Sequence, residues 1–135
     1  MKSFSSLWMI CLGLVVALSS CEEIKTEHDY LIESSWKFSE VSSDEWDQAS
    51  MNIIDQLLSG HEISFHADGT FTEIYLSNTQ SGTWEFNQDF TALIMDTESF
   101  GELTRPIQTL EEGVLIFEEL DQVQGTAFFR YEPIE

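Results

Sequence analysis

The chain has 135 residues, with 25 acidic side chains against five Lys and Arg, and a formal charge of −20. Such a surface repels nucleic acid, whose binding needs a basic footprint. The length suits one domain with its own core and is too short for two.

The first residues read MKSFSSLWMICLGLVVALSSC. One cation, Lys2, precedes an uncharged apolar run of 12 residues from Leu7 to Leu18. A helix that short cannot cross a hydrocarbon core of ~30 Å. A positive start, a short apolar middle and small residues at the cut are the layout of a signal peptide, here residues 1–20. The run ends in Leu18-Ser19-Ser20-Cys21, which resembles the bacterial lipobox. That resemblance implies a diacylglyceryl group on the Cys21 thiol, cleavage before it and acylation of its amine. Several acyl chains of the palmitate kind on one residue hold a protein stably at a membrane, where one chain is marginal. An ordinary secretory signal with a chance cysteine, or an uncleaved anchor, is the alternative. Cys11 falls in the removed part, so the mature chain keeps neither a disulfide nor a free thiol, and cysteine catalysis is excluded on this reading.

Residues 21–30 are polar and mostly acidic and read as a tether. Acidic residues soon after the anchor resemble the export signals of Bacteroidota surface lipoproteins, which implies display on the outer membrane. A plain solvated linker reads equally well. All 25 acidic residues lie beyond residue 20 against four cations there, giving the mature chain −21. Solubility and colloidal repulsion account for that charge. It also disfavours anionic head groups, leaving the acyl anchor as the membrane contact.

The next stretch, residues 35–41, carries Trp36 and Phe38 on one face and predicts a strand. Between Val41 and His61, Trp46, Ala49, Ile53, Ile54, Leu57 and Leu58 recur at helical spacing. Ser42 with Glu45 resembles a capping box and Gly60 suits a stop, so a helix is predicted over residues 43–58. Its apolar face has to be covered, and the mouth of a barrel is the nearest surface for that.

Residues 61–66 alternate again, Ala67-Asp68-Gly69 turns the chain, and residues 70–76 complete a hairpin. Residues 78–81 read as a loop before the alternating Gly82-Thr83-Trp84-Glu85-Phe86. Strands follow over 92–95, 103–110, 114–117 and 126–132, with Pro106 marking an edge or a bulge. Eight short strands with turn signals between them predict an all-β antiparallel barrel or sandwich, with one helix between strands 1 and 2.

On these residues the chain resembles the lipocalin-like domains of Bacteroidota lipoproteins, over roughly residues 31–132 of a barrel domain expected over 31–135. The resemblance rests on Ser35-Trp36-Lys37-Phe38, on Ile63-Ser64-Phe65-His66-Ala67-Asp68-Gly69-Thr70-Phe71 and on Gly82-Thr83-Trp84. The glycine usual two residues before the first tryptophan is Ser34 here. The resemblance implies a small eight-stranded barrel, outer-membrane attachment and a hydrophobic ligand.

No chemistry of an enzyme is legible. His61-Glu62 and His66 depart from the H-E-x-x-H zinc helix by one residue, and on a strand positions 61 and 66 face opposite ways. They read as surface polar residues. There is no nucleophile elbow, phosphate-binding glycine loop or calcium loop, so no catalytic residue, metal or cofactor is expected.

The aromatic set, including Trp36, Phe38, Phe65, Trp84 and Phe86, fills a barrel core or lines a pocket. Arg105 and Arg130 stand among apolar strand residues. Turned inward they would meet a ligand carboxylate, and turned outward they would neutralise neighbouring acids. Two functions therefore stand side by side. One is a lipid-anchored binding module for a small, fatty-acid-like ligand, with the helix as its lid. The other is a structural or interaction lipoprotein with a filled barrel and an acidic protein-binding face.

Overall fold

The computed structural model describes residues 25–134. Signal peptide, Cys21 and the start of the tether lie outside the described residues. The elements in chain order are α1 (Glu27–Ile32), β1 (Ser35–Ser42), α2 (Gln48–Leu58), β2 (Glu62–Phe65) and β3 (Thr70–Tyr75). Then come β4 (Asn78–Phe86), β5 (Ala92–Thr97), β6 (Gly101–Glu111), β7 (Val114–Asp121) and β8 (Gly125–Pro133).

Every strand pairs antiparallel with its neighbour in sequence, and β8 returns to β1, so the eight strands close into a barrel. Closure leaves no free edge. The predicted all-β barrel with one helix between strands 1 and 2 is therefore the observed fold. Bulges between Phe38 and Glu40 in β1 and between Ile107 and Thr109 in β6 bend the sheet. Pro106 sits next to the second bulge and pairs with Ala92 within the closed sheet.

Alternation sends one residue of each pair into the barrel. Trp36, Phe38, Ile63, Phe65, Phe71, Trp84, Leu115, Phe117, Phe129 and Tyr131 are all buried in one cluster. At ~25 cal/mol per Å² of apolar surface, this cluster is the main stabilising term. The closed barrel, the two described helices and the core cluster are formed by residues 25–134.

Up-and-down connectivity divides the links between the two ends. The β2–β3, β4–β5 and β6–β7 turns share one end with α1. The β3–β4, β5–β6 and β7–β8 turns share the other with α2. The first end is plugged. Residues up to 30 read as tether, yet the chain is helical from Glu27, with Thr26 and Asp29 forming a capping box. Leu31 of α1 is fully buried, and the Trp36 indole Nε1–H donates to its carbonyl at 2.9 Å.

Two further boundaries differ from the sequence reading. Residues 78–81, read as loop, belong to β4 and pair with Tyr75 to Thr72 of β3; the turn is Leu76-Ser77 alone. The helix begins at Gln48, capped by Asp47, whose carboxylate accepts from Ser50 N–H at 2.7 Å. The expected capping box does not form, because Ser42 stays in β1 and Glu45 accepts from Thr126 N–H instead. The packed stripe also differs. Trp46, Met51, Ile54 and Leu58 lie against the core, while Ala49, Ile53 and Leu57 face solvent.

Candidate functional site

The end shared with α2 is the mouth of the barrel, and His61 at the entry to β2 and Glu73 near the end of β3 stand towards it. β3 places Phe71, Glu73 and Tyr75 on one face, and β8 places Phe129 and Tyr131. His61, at the entry to β2, is buried, which corrects its reading as a surface residue. Its Nδ1 lies 2.7 Å from the Tyr131 hydroxyl and its Nε2 2.9 Å from Glu73 Oε2. Both ring nitrogens are thereby engaged, one with the Tyr131 hydroxyl and the other with the Glu73 carboxylate. Gln80 donates its amide to the other Glu73 oxygen. A buried polar cluster is tolerated when its members satisfy one another, and every buried side-chain polar atom among the described residues has a partner.

The charges in this cluster follow from its surroundings. Burial pushes the Glu73 carboxyl up, but hydrogen bonds from His61 and Gln80 and the charges of His61 and Arg105 outweigh it. The carboxyl ends below its ordinary value. Burial raises the Tyr131 phenol, and the adjacent Arg105 guanidinium only partly opposes that.

Arg105 turns into the barrel. Its guanidinium lies 4.0 Å over the centre of the Phe117 ring, a cation–π placement. None of the ion pairs formed among the described residues includes it. It borders a cavity of about 100 Å³ whose apolar wall is Phe71, Met95, Phe100 and Leu103. A second cavity of about 210 Å³ adjoins it through Phe100 and is lined by Tyr75, Asn78, Gln80 and Ser99.

The other residues singled out in the sequence lie elsewhere. Trp36 packs against the plug, and Phe38 stacks edge-on with Phe129 and Tyr131 in mid-barrel. Phe65, Trp84 and Phe86 form a run of edge-to-face rings, with His28 of α1 set against Trp84. All four buried members, Trp36, Phe38, Phe65 and Trp84, are core side chains; Phe86 is partly buried against them. Arg130 lies on the outer face and pairs with Glu132 at 3.5 Å. Sequence reasoning missed Glu73, Gln80 and the burial of His61. The available signal was alternation, which sets Glu73 between Phe71 and Tyr75 on the lumen face.

A scan against protein-family models finds no match, and a search of curated proteins finds none. Among solved structures the chain is similar to a DUF4847 family protein from Bacteroides vulgatus ATCC 8482. The two share 14% sequence identity at a TM-score of 0.51, over 76% of this chain and 93% of that one. The likeness is one of fold. It sets this closed barrel beside a Bacteroides protein and leaves the chemistry to be argued from the mouth itself.

Proposed function

We propose that this chain is a lipid-anchored envelope lipoprotein whose barrel mouth binds a small amphiphilic ligand, with the anionic head on Arg105. One observation carries the reading. In a protein with 25 acidic residues, the Arg105 guanidinium is turned inward onto Phe117, outside the ion pairs of the described residues, and with Glu73 it borders a cavity whose other wall is apolar. A planar guanidinium in such a place offers a carboxylate two parallel hydrogen bonds in a setting of reduced dielectric. Phe71, Met95 and Leu103 would take the apolar part and Phe100 would cover it. The space favours a short carboxylate over a long acyl chain, because aromatic side chains fill the lumen below. Arg130, on the outer face, takes no part.

The filled lower lumen also supports the second reading, a structural lipoprotein acting through its acidic surface. Native mass spectrometry of residues 22–135 made in a bacterial host separates the two. The binding reading expects an added mass, lost on delipidation, restored by short-chain carboxylates and not restored in Arg105→Gln. A bare protein that takes up neither carboxylates nor a fluorescent apolar probe would overturn it. For the anchor, Cys21→Ser should move the full chain from the membrane fraction to the soluble fraction. Retention in the membrane would overturn that part.

A further inference from the structure

We propose that the mouth end is a docking surface for a protein partner that presents apolar sockets in a cationic surround. The inference concerns the rim, which shares Phe100 and Leu103 with the ligand site and adds Leu76, Leu120, Val123 and the exposed face of α2.

Among the described residues, exposed large apolar side chains are unevenly distributed between the two ends of the barrel. On the β3–β4 and β5–β6 side of the mouth stand Leu76, Phe100 and Leu103, with Phe100 79% exposed. On the α2 and β7–β8 side stand Ile53, Leu57, Leu120 and Val123, with Leu120 74% and Val123 93% exposed. At the plugged end, Phe90 and Ile134 are the exposed members of that set. Scattered single exposed apolar residues need no explanation, but a group gathered on one end marks an interaction site.

Each lip is braced. Phe100 N–H donates to Thr97 Oγ1 at 3.0 Å, and Phe100 borders the cavity formed with Tyr75 and Asn78, which joins the first two turns. Asp121 accepts from the N–H groups of Val123 and Gln124, both at 2.8 Å, fixing the third turn. Trp46 Nε1–H donates to the Gly125 carbonyl at 2.8 Å, tying the entry of α2 to that turn. A rim held in place loses little freedom on binding. The β3–β4 turn is also costly to keep, because Leu76 and Ser77 both sit at positive φ, 49° and 67°. Asn and Gly suit those positions far better. A leucine held there, with its side chain in solvent, sacrifices fold stability.

Charge selects the partner. Glu98 and Glu102 flank Phe100, Glu119 and Asp121 flank Leu120, and Asp55 lies between Ile53 and Leu57. These segments carry no Lys or Arg. A second copy would meet its own acidic rim, and an anionic bilayer would be repelled. A basic, apolar protein surface complements it in both respects.

The test uses residues 22–135 and a fluorescein-labelled amphipathic helical peptide of Leu and Lys, read by anisotropy. A Leu–Glu peptide, phosphatidylcholine vesicles and sedimentation of the protein alone run alongside. The expected result is saturable binding of the Leu–Lys peptide alone. Binding should be about tenfold weaker in Phe100→Ser/Leu120→Ser and in Leu120→Ser/Val123→Ser, with unchanged charge and circular dichroism. Arg105→Gln should bind the peptide normally. Equal peptide affinity in both double variants would reduce the contact to bulk charge and overturn the proposal. So would vesicle binding or self-association that these variants abolish.

Discussion

The Trp36 indole reaches back five residues to the carbonyl of Leu31, 2.9 Å away, and fastens the plug helix to the first strand. Leu31 lies in the last turn of α1, where a carbonyl has no partner within the helix. Both side chains are buried, so water cannot replace the bond. Trp36→Phe keeps most of the apolar surface but orphans that carbonyl. It should cost about 2–3 kcal/mol, from an unsatisfied buried acceptor and a small void. Urea unfolding of residues 22–135 checks it, and a midpoint equal to wild type would show that the plug needs no such fastening.

Glu73 makes the barrel sensitive to acid. Its carboxyl is pushed up by burial but brought below its ordinary value by His61, Gln80 and Arg105. A depressed folded pKa means that the unfolded chain binds protons first as the pH falls. Stability from this group is therefore present above the ordinary glutamate range and lost as the pH drops through the folded value. Glu73→Gln should be less stable than wild type at pH 7, and the gap should narrow towards pH 3. Exposed carboxylates such as Asp68 and Asp121, also lowered by hydrogen bonds, titrate alike in both proteins and cancel in the difference. Urea midpoints across that range decide it; a constant gap would mean that Glu73 does not carry the effect.

The strands were legible because alternation is a local signal, and each predicted strand falls within or against an observed one. Two stretches that looked like separate motifs proved to be one unit. The Trp84 indole donates to His66 O at 3.0 Å, and Trp84 N–H donates to Gly69 O at 2.8 Å. What was not legible depends on distant partners. Ser43 and Glu45 bond Thr126, more than 80 residues on, and that contact displaced the helix start predicted from local spacing. His61 finds Tyr131 70 residues away, so nothing nearby marked it as buried. Arg105 was undecided between two faces until the barrel brought Phe117 beneath it.

Gly82, from the Gly-Thr-Trp stretch, is set by packing. A Cβ there would run into the Asp96 carbonyl and come within 2.8 Å of the Phe71 ring. The backbone carbonyl of a paired strand cannot move aside cheaply, and Phe71 is itself buried. Gly82→Ala should destabilise by about 1–3 kcal/mol through overpacking. Gly113→Ala, with open space around its Cβ, is strained only by its positive φ of 77°. Thermal unfolding of both variants separates the causes; a harmless Gly82→Ala would mean that β4 and β5 part easily.

The Leu76-Ser77 turn gives the last expectation. A two-residue hairpin turn with both residues at positive φ is the type that favours Asn-Gly, since a Cβ crowds the backbone in that region. Leu76→Asn with Ser77→Gly relieves the crowding, while the added glycine gives back part of the gain through unfolded-chain entropy. The net effect should be a stabilisation of about 0.5–1 kcal/mol, seen as a higher urea midpoint with an unchanged slope. The same variant should bind the Leu–Lys peptide less tightly, because the exposed leucine is gone from the mouth. Stability and docking would then move in opposite directions at one turn. A variant gaining stability with full peptide affinity would place Leu76 outside the contact.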